Sequence, residues 1–332
     1  KRLDREQLEP LVLCSQSIVG KIKQGLQDAD LPVIGFANTL PAAIDAIRDA
    51  DCDVLHYWEV GSDAINYYLA HARLAPVQCT SWGSQSTTGI PTIDYFLSSP
   101  LIEPENAQDH YSEKLYLGES LPTYQHRIAP PAPCSRSDFG LPEHGTLYMC
   151  LQNPLKQHPD ADGLFAEVLR RDPKAQLMLL GGTSPRVAGQ LRDRHRREIP
   201  DVVDRILWAP WMSQPRYLQL LSLADVVLDP PSFSAGVTAY DIFSLRLPVV
   251  ALPDSLSVSR YTAGCYRQMG LMDLVAESKE QYAKLAVRIG TDKDVREEFR
   301  HSLVVKTPCL FDDKKAVSMH QEFYREIGVE NL

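Results

Sequence analysis

The sequence predicts two open α/β domains of the Rossmann type joined by a proline-rich crossing, and three observations predict it. The 332 residues exceed one ordinary core and fit two domains of about 150 residues each. Short apolar runs alternate with helix-period stretches from end to end, the pattern of parallel sheets covered on both faces. Residues 128–142, IAPPAPCSRSDFGLP, interrupt that alternation with prolines and little periodicity. The expected division is a first domain over 1–127, a linker over 128–142 and a second domain with terminal helices over 143–332.

In the first domain, residues 11–14, 33–36, 54–57, 77–81 and 95–97 read as strands. Helix-like stretches lie between them at 41–50 and 63–72. Pro41 suits a first helical turn, where its missing N–H costs nothing. The strand at 11–14 has no partner before it, so the first domain is expected to begin inside its sheet. In the second domain, strands at 146–151, 176–180, 206–208, 226–228 and 249–252 alternate with helices at 161–171, 186–198, 215–224, 238–245 and 260–269. Residues 279–327 read as helical throughout, and these helices are candidates to cross back to the first domain. Such a pair of domains places a ligand at the carboxyl ends of the strands, in the cleft between them. That logic fits dehydrogenases, epimerases and sugar transferases alike.

Composition narrows the class. Hydrophobic content of 44% and charged content of 23% are those of a globular protein. No apolar run approaches the roughly 18 residues of a membrane span, and residues 1–10 are charged, without the apolar core of a secretory signal. A net charge of −9 argues against a nucleic-acid partner. The basic cluster at 186–197 is followed by Glu198 and Asp201 and reads as a solvated helix face. Seven scattered cysteines without a CxxC pair read as reduced thiols of a cytoplasmic protein. Nine histidines show no metal-ligand spacing, so no metal is expected. DxD strings at 28–30, 51–53 and 160–162 stand at helix ends, where aspartate is common anyway.

The most informative segment is residues 223–248, LADVVLDPPSFSAGVTAYDIFSLRLP. A buried strand ends at Asp229, a loop follows, and a helix begins at Thr238, with Asp241 three residues on as in a capping box. The loop Ser234-Ala235-Gly236 lets backbone N–H groups at the helix start face a diphosphate, and Gly236 can adopt the backbone angles such a turn needs. The same segment is equally a plain capped core helix. After the linker, Gln152, Asn153 and Lys156 follow a strand, and a lysine above strand ends can neutralise charge on a departing nucleotide diphosphate without a metal. An ordinary exposed lysine is the competing reading. In the first domain Gly83, Ser84, Thr87 and Thr88 form a hydroxyl-rich loop suited to sugar or phosphate, or simply to turning the chain. Strand-end Glu59 has the chemistry of a base or a sugar-hydroxyl ligand, and also that of a solvated carboxylate. No dinucleotide fingerprint, P-loop or GxSxG is present.

Several segments carry a family resemblance, in order and from about Asp53 to the C-terminus. They are LAPVQ at 74–78, GIPTIDY at 89–95, YSEKL at 111–115, the Lys156 turn, LADVVLD at 223–229 and LPVV at 247–250. Together they resemble the family of protein O-GlcNAc transferase, the SPINDLY-type transferases and the bacterial adhesin N-glycosyltransferases, its bacterial branch most of all. The resemblance implies GT-B architecture and inverting, metal-independent transfer. The sugar (GlcNAc, glucose or similar) would pass from a nucleotide diphosphate sugar, UDP-linked, to a protein or peptide side chain, with no further cofactor. It implies that Lys156 binds the donor diphosphate beside Asn153, that Gly236, Val237 and Thr238 hold the phosphates, that Asp241 takes the ribose hydroxyls, and that Trp211 and Met212 flank the base. Lys156 and Glu59 are the candidate catalytic residues.

The departures lie mostly on the acceptor side. Bacterial relatives carry His-Pro after Trp-Gly, where this chain has Ser84 and Gln85. A helix-start His or Asn is Gly236 or Val237, a Gly near Pro253 is Asp254, and the N-terminal active-site histidine has no counterpart. Donor binding is therefore expected to outlast transfer, and Ser84→His to raise sugar hydrolysis or transfer where this loop is the limiting element. Three readings stay open: an active transferase, a degenerate one that binds a nucleotide sugar or a partner protein without efficient turnover, and a nucleotide-sugar epimerase of similar fold.

Overall fold

The computed structural model describes residues 2–26, 30–84 and 86–330, the last three of these by main chain only. It divides into two units, Lys1–Tyr124 with Asp313–Leu332, and Gln125–Asp312.

In the first unit, β1 (Val12–Ser15) and β2 (Val33–Phe36) pair in parallel around the connecting helix α1 (Val19–Leu26). Then come α2 (Leu40–Asp49), β3 (Val54–Tyr57), α3 (Ala64–Ala70), β4 (Val77–Ser81), β5 (Tyr95–Ser98) and β6 (Lys114–Leu117). Strands β3 to β6 make a four-stranded parallel sheet in sequence order. Pro41 sits in the first turn of α2, as its lack of an N–H favours. Two elements escape the sequence pattern. Helix α1 contains Gly20 and Gly25, which weaken its helical signal. Edge strand β6 has solvent at both ends, Lys114 and Leu117 being exposed, so its apolar run is short.

The second unit runs β7 (Leu147–Cys150), α4 (Asp160–Arg171), β8 (Gln176–Leu180), α5 (Pro185–Glu198), β9 (Ile206–Ala209), α6 (Gln214–Ser222), β10 (Val226–Leu228), α7 (Val237–Ser244), β11 (Val249–Val250), α8 (Tyr261–Met269), α9 (Lys279–Thr291) and α10 (Lys293–Lys306). Its five parallel strands are ordered β11-β10-β7-β8-β9. The order reverses between β7 and β10, which makes that seam the topological switch point, where the two departing loops leave a crevice. Strand β7 is buried along its whole length, as expected of a central parallel strand.

Residues 128–142 belong to this second unit and are not a free linker: Arg136 donates to Asp225 Oδ2 at 2.7 Å. The last helix, α11 (Lys314–Glu330), belongs to the first unit and not to the second-domain helices with which the sequence pattern grouped it. Its buried residues Met319, Phe323 and Ile327 recur at helical spacing and pack on Val77, Cys79 and Leu97 of the first sheet. Among the described residues no helix is long and apolar enough to cross a membrane, and all seven cysteines are free.

Candidate functional site

The site grows out of the switch point of the second sheet. Register pairs Met149 with Val227, so the chain leaves β7 and β10 side by side. After β7 a single tight turn, Pro154–Lys156, lifts Lys156 above the sheet. Asn153 shapes that turn by accepting the Leu155 N–H at 3.0 Å. Gly182 backs it with φ +69°, and a Cβ there would lie 2.8 Å from Pro154 Cγ, so the contact requires glycine.

Lys156 Nζ lies 4.4 Å from the centre of the Phe233 ring and donates to the Ser234 carbonyl at 3.4 Å. Burial lowers its pKa while the charge of Asp229 raises it. Helix α7 then begins at Val237 with Gly236 as its N-cap and no side-chain cap. The uncapped first turn leaves backbone N–H groups and the positive end of the helix dipole for an anion. Thr238 is not the cap that a Thr238–Asp241 capping box requires, because it lies inside the first turn. Its hydroxyl instead meets Gln152, whose Nε2 donates at 2.9 Å.

The Asp241 carboxylate, one turn further along α7, accepts no hydrogen bond among the described residues, and burial pushes it up to about 6. A desolvated acid without a partner marks a candidate functional position. Trp211 and Met212 follow β9, and Trp211 is 65% exposed. Leu155, in the tight turn after β7, and Val237, the first residue of α7, are exposed apolar residues. The structure thus joins Gln152 to Thr238, and Lys156 to Phe233 and Ser234, and sets Asp241 on the helix of Thr238.

Sequence reasoning missed the frame beneath this site. Asp229 is buried and holds the loop into α7, its carboxylate accepting the Ser234 hydroxyl at 2.6 Å and the Ala235 N–H at 2.8 Å. Its signal was an acid closing an all-apolar strand. On the other flank Arg194 grips Asp162 at 2.7 and 2.8 Å and donates to the carbonyl of Gln157, next to Lys156, at 3.0 Å. Burial raises the Asp162 carboxyl, but hydrogen bonds from His195 and Arg194 outweigh it and hold the group below its ordinary value. The basic cluster of α5 is therefore not wholly a solvated face: Arg194 and buried His195 turn inward. This also accounts for the string at 160–162. Of the other two, 51–53 follows α2, and 28–30 lies partly outside the described residues.

In the first unit the expected acceptor-side groups are engaged by neighbouring residues of that unit. Glu59 accepts the N–H groups of Ser62 at 2.8 Å and Asp63 at 3.2 Å, the Asn66 amide at 3.1 Å and the Ser62 hydroxyl. It organises the entry to α3. Ser84 is buried, accepts the Val60 N–H at 2.9 Å and lies 2.8 Å from Thr80 Oγ1, so it does not present its hydroxyl to a ligand. Gly83 is fixed because a Cβ would fall 2.0 Å from the Trp58 carbonyl. Thr87 donates to buried Glu113 at 2.7 Å, as does the Thr88 N–H, and the Thr88 hydroxyl does the same. Gln85 lies outside the described residues. Among the described residues no three His, Cys, Asp or Glu side chains group to hold a metal ion.

A probable UDP-N-acetylglucosamine–peptide N-acetylglucosaminyltransferase SEC of Arabidopsis thaliana is 27% identical over 263 residues, 75% of this chain and 26% of the relative. A probable transferase of the same kind, SPINDLY of Solanum lycopersicum, is 26% identical over 267 residues, 77% of this chain and 28% of the relative. The chain thus spans about a quarter of the length of these curated relatives. A solved mutant O-GlcNAc transferase of Thermobaculum terrenum superposes with a TM-score of 0.78 at 19% identity, covering 97% of this chain and 68% of that one. The fold is GT-B, two parallel α/β units with C-terminal helices. Residues 125–319, more than half of the chain, match the pattern of glycosyl transferase family 41, and the chain belongs to that family.

Proposed function

We propose that this chain is the catalytic region of an inverting, metal-independent glycosyltransferase that moves a sugar such as GlcNAc or glucose from a UDP-linked donor to a protein side chain. The observation that carries the reading is the convergence of Lys156 and the uncapped first turn of α7 on one seam of the second sheet. In an inverting transfer the acceptor attacks the anomeric carbon as the bond to the diphosphate oxygen breaks. Negative charge then grows on the leaving diphosphate, and a lysine with helix N–H groups stabilises it. Asp241 receives the ribose hydroxyls, and Trp211 and Met212 flank the base. The relatives' names, which specify UDP-N-acetylglucosamine and peptide, support the same donor and acceptor classes.

A second reading is favoured by one observation: Glu59 and Ser84 are both engaged by other residues of the first unit. On that reading the chain binds a nucleotide sugar without efficient turnover. Incubating the purified chain with UDP- and GDP-sugars and a peptide library, with mass spectrometry of nucleotide and peptide products, separates the two. Peptide mass gain with UDP release supports the transferase; donor binding with neither product supports the second reading.

A further inference from the structure

Asp229 has no part in the transfer just described, yet it is the hub of the turn from β10 into α7. Its Oδ2 accepts the Ser234 hydroxyl at 2.6 Å and its Oδ1 the Ala235 N–H at 2.8 Å. Ser234 Oγ accepts the Thr262 N–H at 3.0 Å, and the Tyr282 hydroxyl donates to the Asp229 carbonyl at 3.0 Å. This frame aims the Ser234 carbonyl at Lys156 Nζ and delivers Gly236 to the start of α7. We propose that Asp229 is a positioning residue for the diphosphate cradle, fixing the turn from Ser234 to Gly236 and keeping the half-buried Lys156 charged. The proposal rests on the donor-site reading above.

The charges around the pair are consistent with this role. Burial raises the Asp229 carboxyl to about 6, against the hydrogen bonds from Ser234, Ala235 and Thr262 and the charge of Lys156. Burial lowers Lys156, and Asp229 is the first of the groups that raise it. The other titratable groups facing Asp229 are Cys150, Cys265, Tyr266 and Tyr282, all kept protonated by burial. Removing the Asp229 carboxylate leaves Lys156 desolvated without its main counter-charge.

The test uses Asp229→Asn and Ser234→Ala in the full chain, each checked for native circular dichroism. Acylation of Lys156 is followed by mass spectrometry as a function of pH, with no ligand present, and UDP affinity is measured by calorimetry. Asp229→Asn lowers the pH midpoint of Lys156 reactivity, as loss of its counter-charge requires. Ser234→Ala retains the carboxylate and the midpoint, but loosens the turn and weakens UDP binding by about tenfold. An unmoved midpoint in folded Asp229→Asn, or full UDP affinity in Ser234→Ala, overturns the proposal. If Asp229→Asn does not fold, the Ser234→Ala affinity decides. If the wild-type chain binds no UDP, the donor-site reading fails, and the Lys156 midpoint still decides whether Asp229 holds its charge.

Discussion

Gln152 donates its side-chain amide to Thr238 Oγ1 at 2.9 Å, and this bond ties the carboxyl end of β7 to the first turn of α7 across the switch point. Gln152 is buried, so the tie is shielded from water. Thr238→Val keeps the side-chain shape and removes the hydroxyl. It is expected to weaken UDP binding by roughly three- to tenfold, the equivalent of one hydrogen bond, while Thr238→Ser stays near wild type. Calorimetry checks both, and equal affinity for Val and Ser at this position would remove the hydroxyl from the site.

Asp241 sets up a trade between stability and binding. Its folded pKa of about 6 lies above its ordinary value of 3.8 because burial disfavours the charged form. Such an acid contributes stability that is fully present below its unfolded pKa and is lost as pH rises through about 6. Asp241→Asn should therefore be more stable than wild type at pH 8, by on the order of 2 kcal/mol, and by less at pH 5. Urea melts at the two pH values test this, and a gain that does not shrink at pH 5 would contradict it. The same variant should bind UDP more weakly.

Ser84→His, which the loop sequence suggests as an activating change, should instead destabilise the first unit. Ser84 is buried between the Val60 N–H and Thr80 Oγ1, leaving no room for an imidazole. Overpacking and the lost hydrogen bonds together should cost about 2–4 kcal/mol. A lowered melting temperature with no gain in sugar release is expected; a faster, equally stable variant would refute this placement.

The fold was legible where burial dictates composition. The all-apolar strand at Leu147–Cys150 and the run at Val226–Leu228 announce buried parallel strands by their residue types alone. Sequence pattern failed where tertiary contact decides. Residues 128–142 look like a linker, yet Arg136 anchors them to Asp225 of the second unit. The spacing of Met319, Phe323 and Ile327 shows an amphipathic helix but cannot say which sheet it covers. At the site, Lys156 and Thr238 are readable because a cation and a helix start stand out locally. Asp229 and Arg194 are not, since their partners Ala235 and Gln157 are revealed only by the turns that bring backbone groups toward them. At Glu59 too the sequence shows the acid but not the N–H groups of Ser62 and Asp63 that it accepts.

If a nucleoside diphosphate is held between Lys156 and the first turn of α7, titrating the purified chain with UDP in a calorimeter shows this most directly. Wild type should bind at one site per chain, and Lys156→Ala should weaken that binding by about 1.5–3 kcal/mol, the loss of a hydrogen bond to a charged group. Equal UDP affinity in wild type and a correctly folded Lys156→Ala would contradict the account.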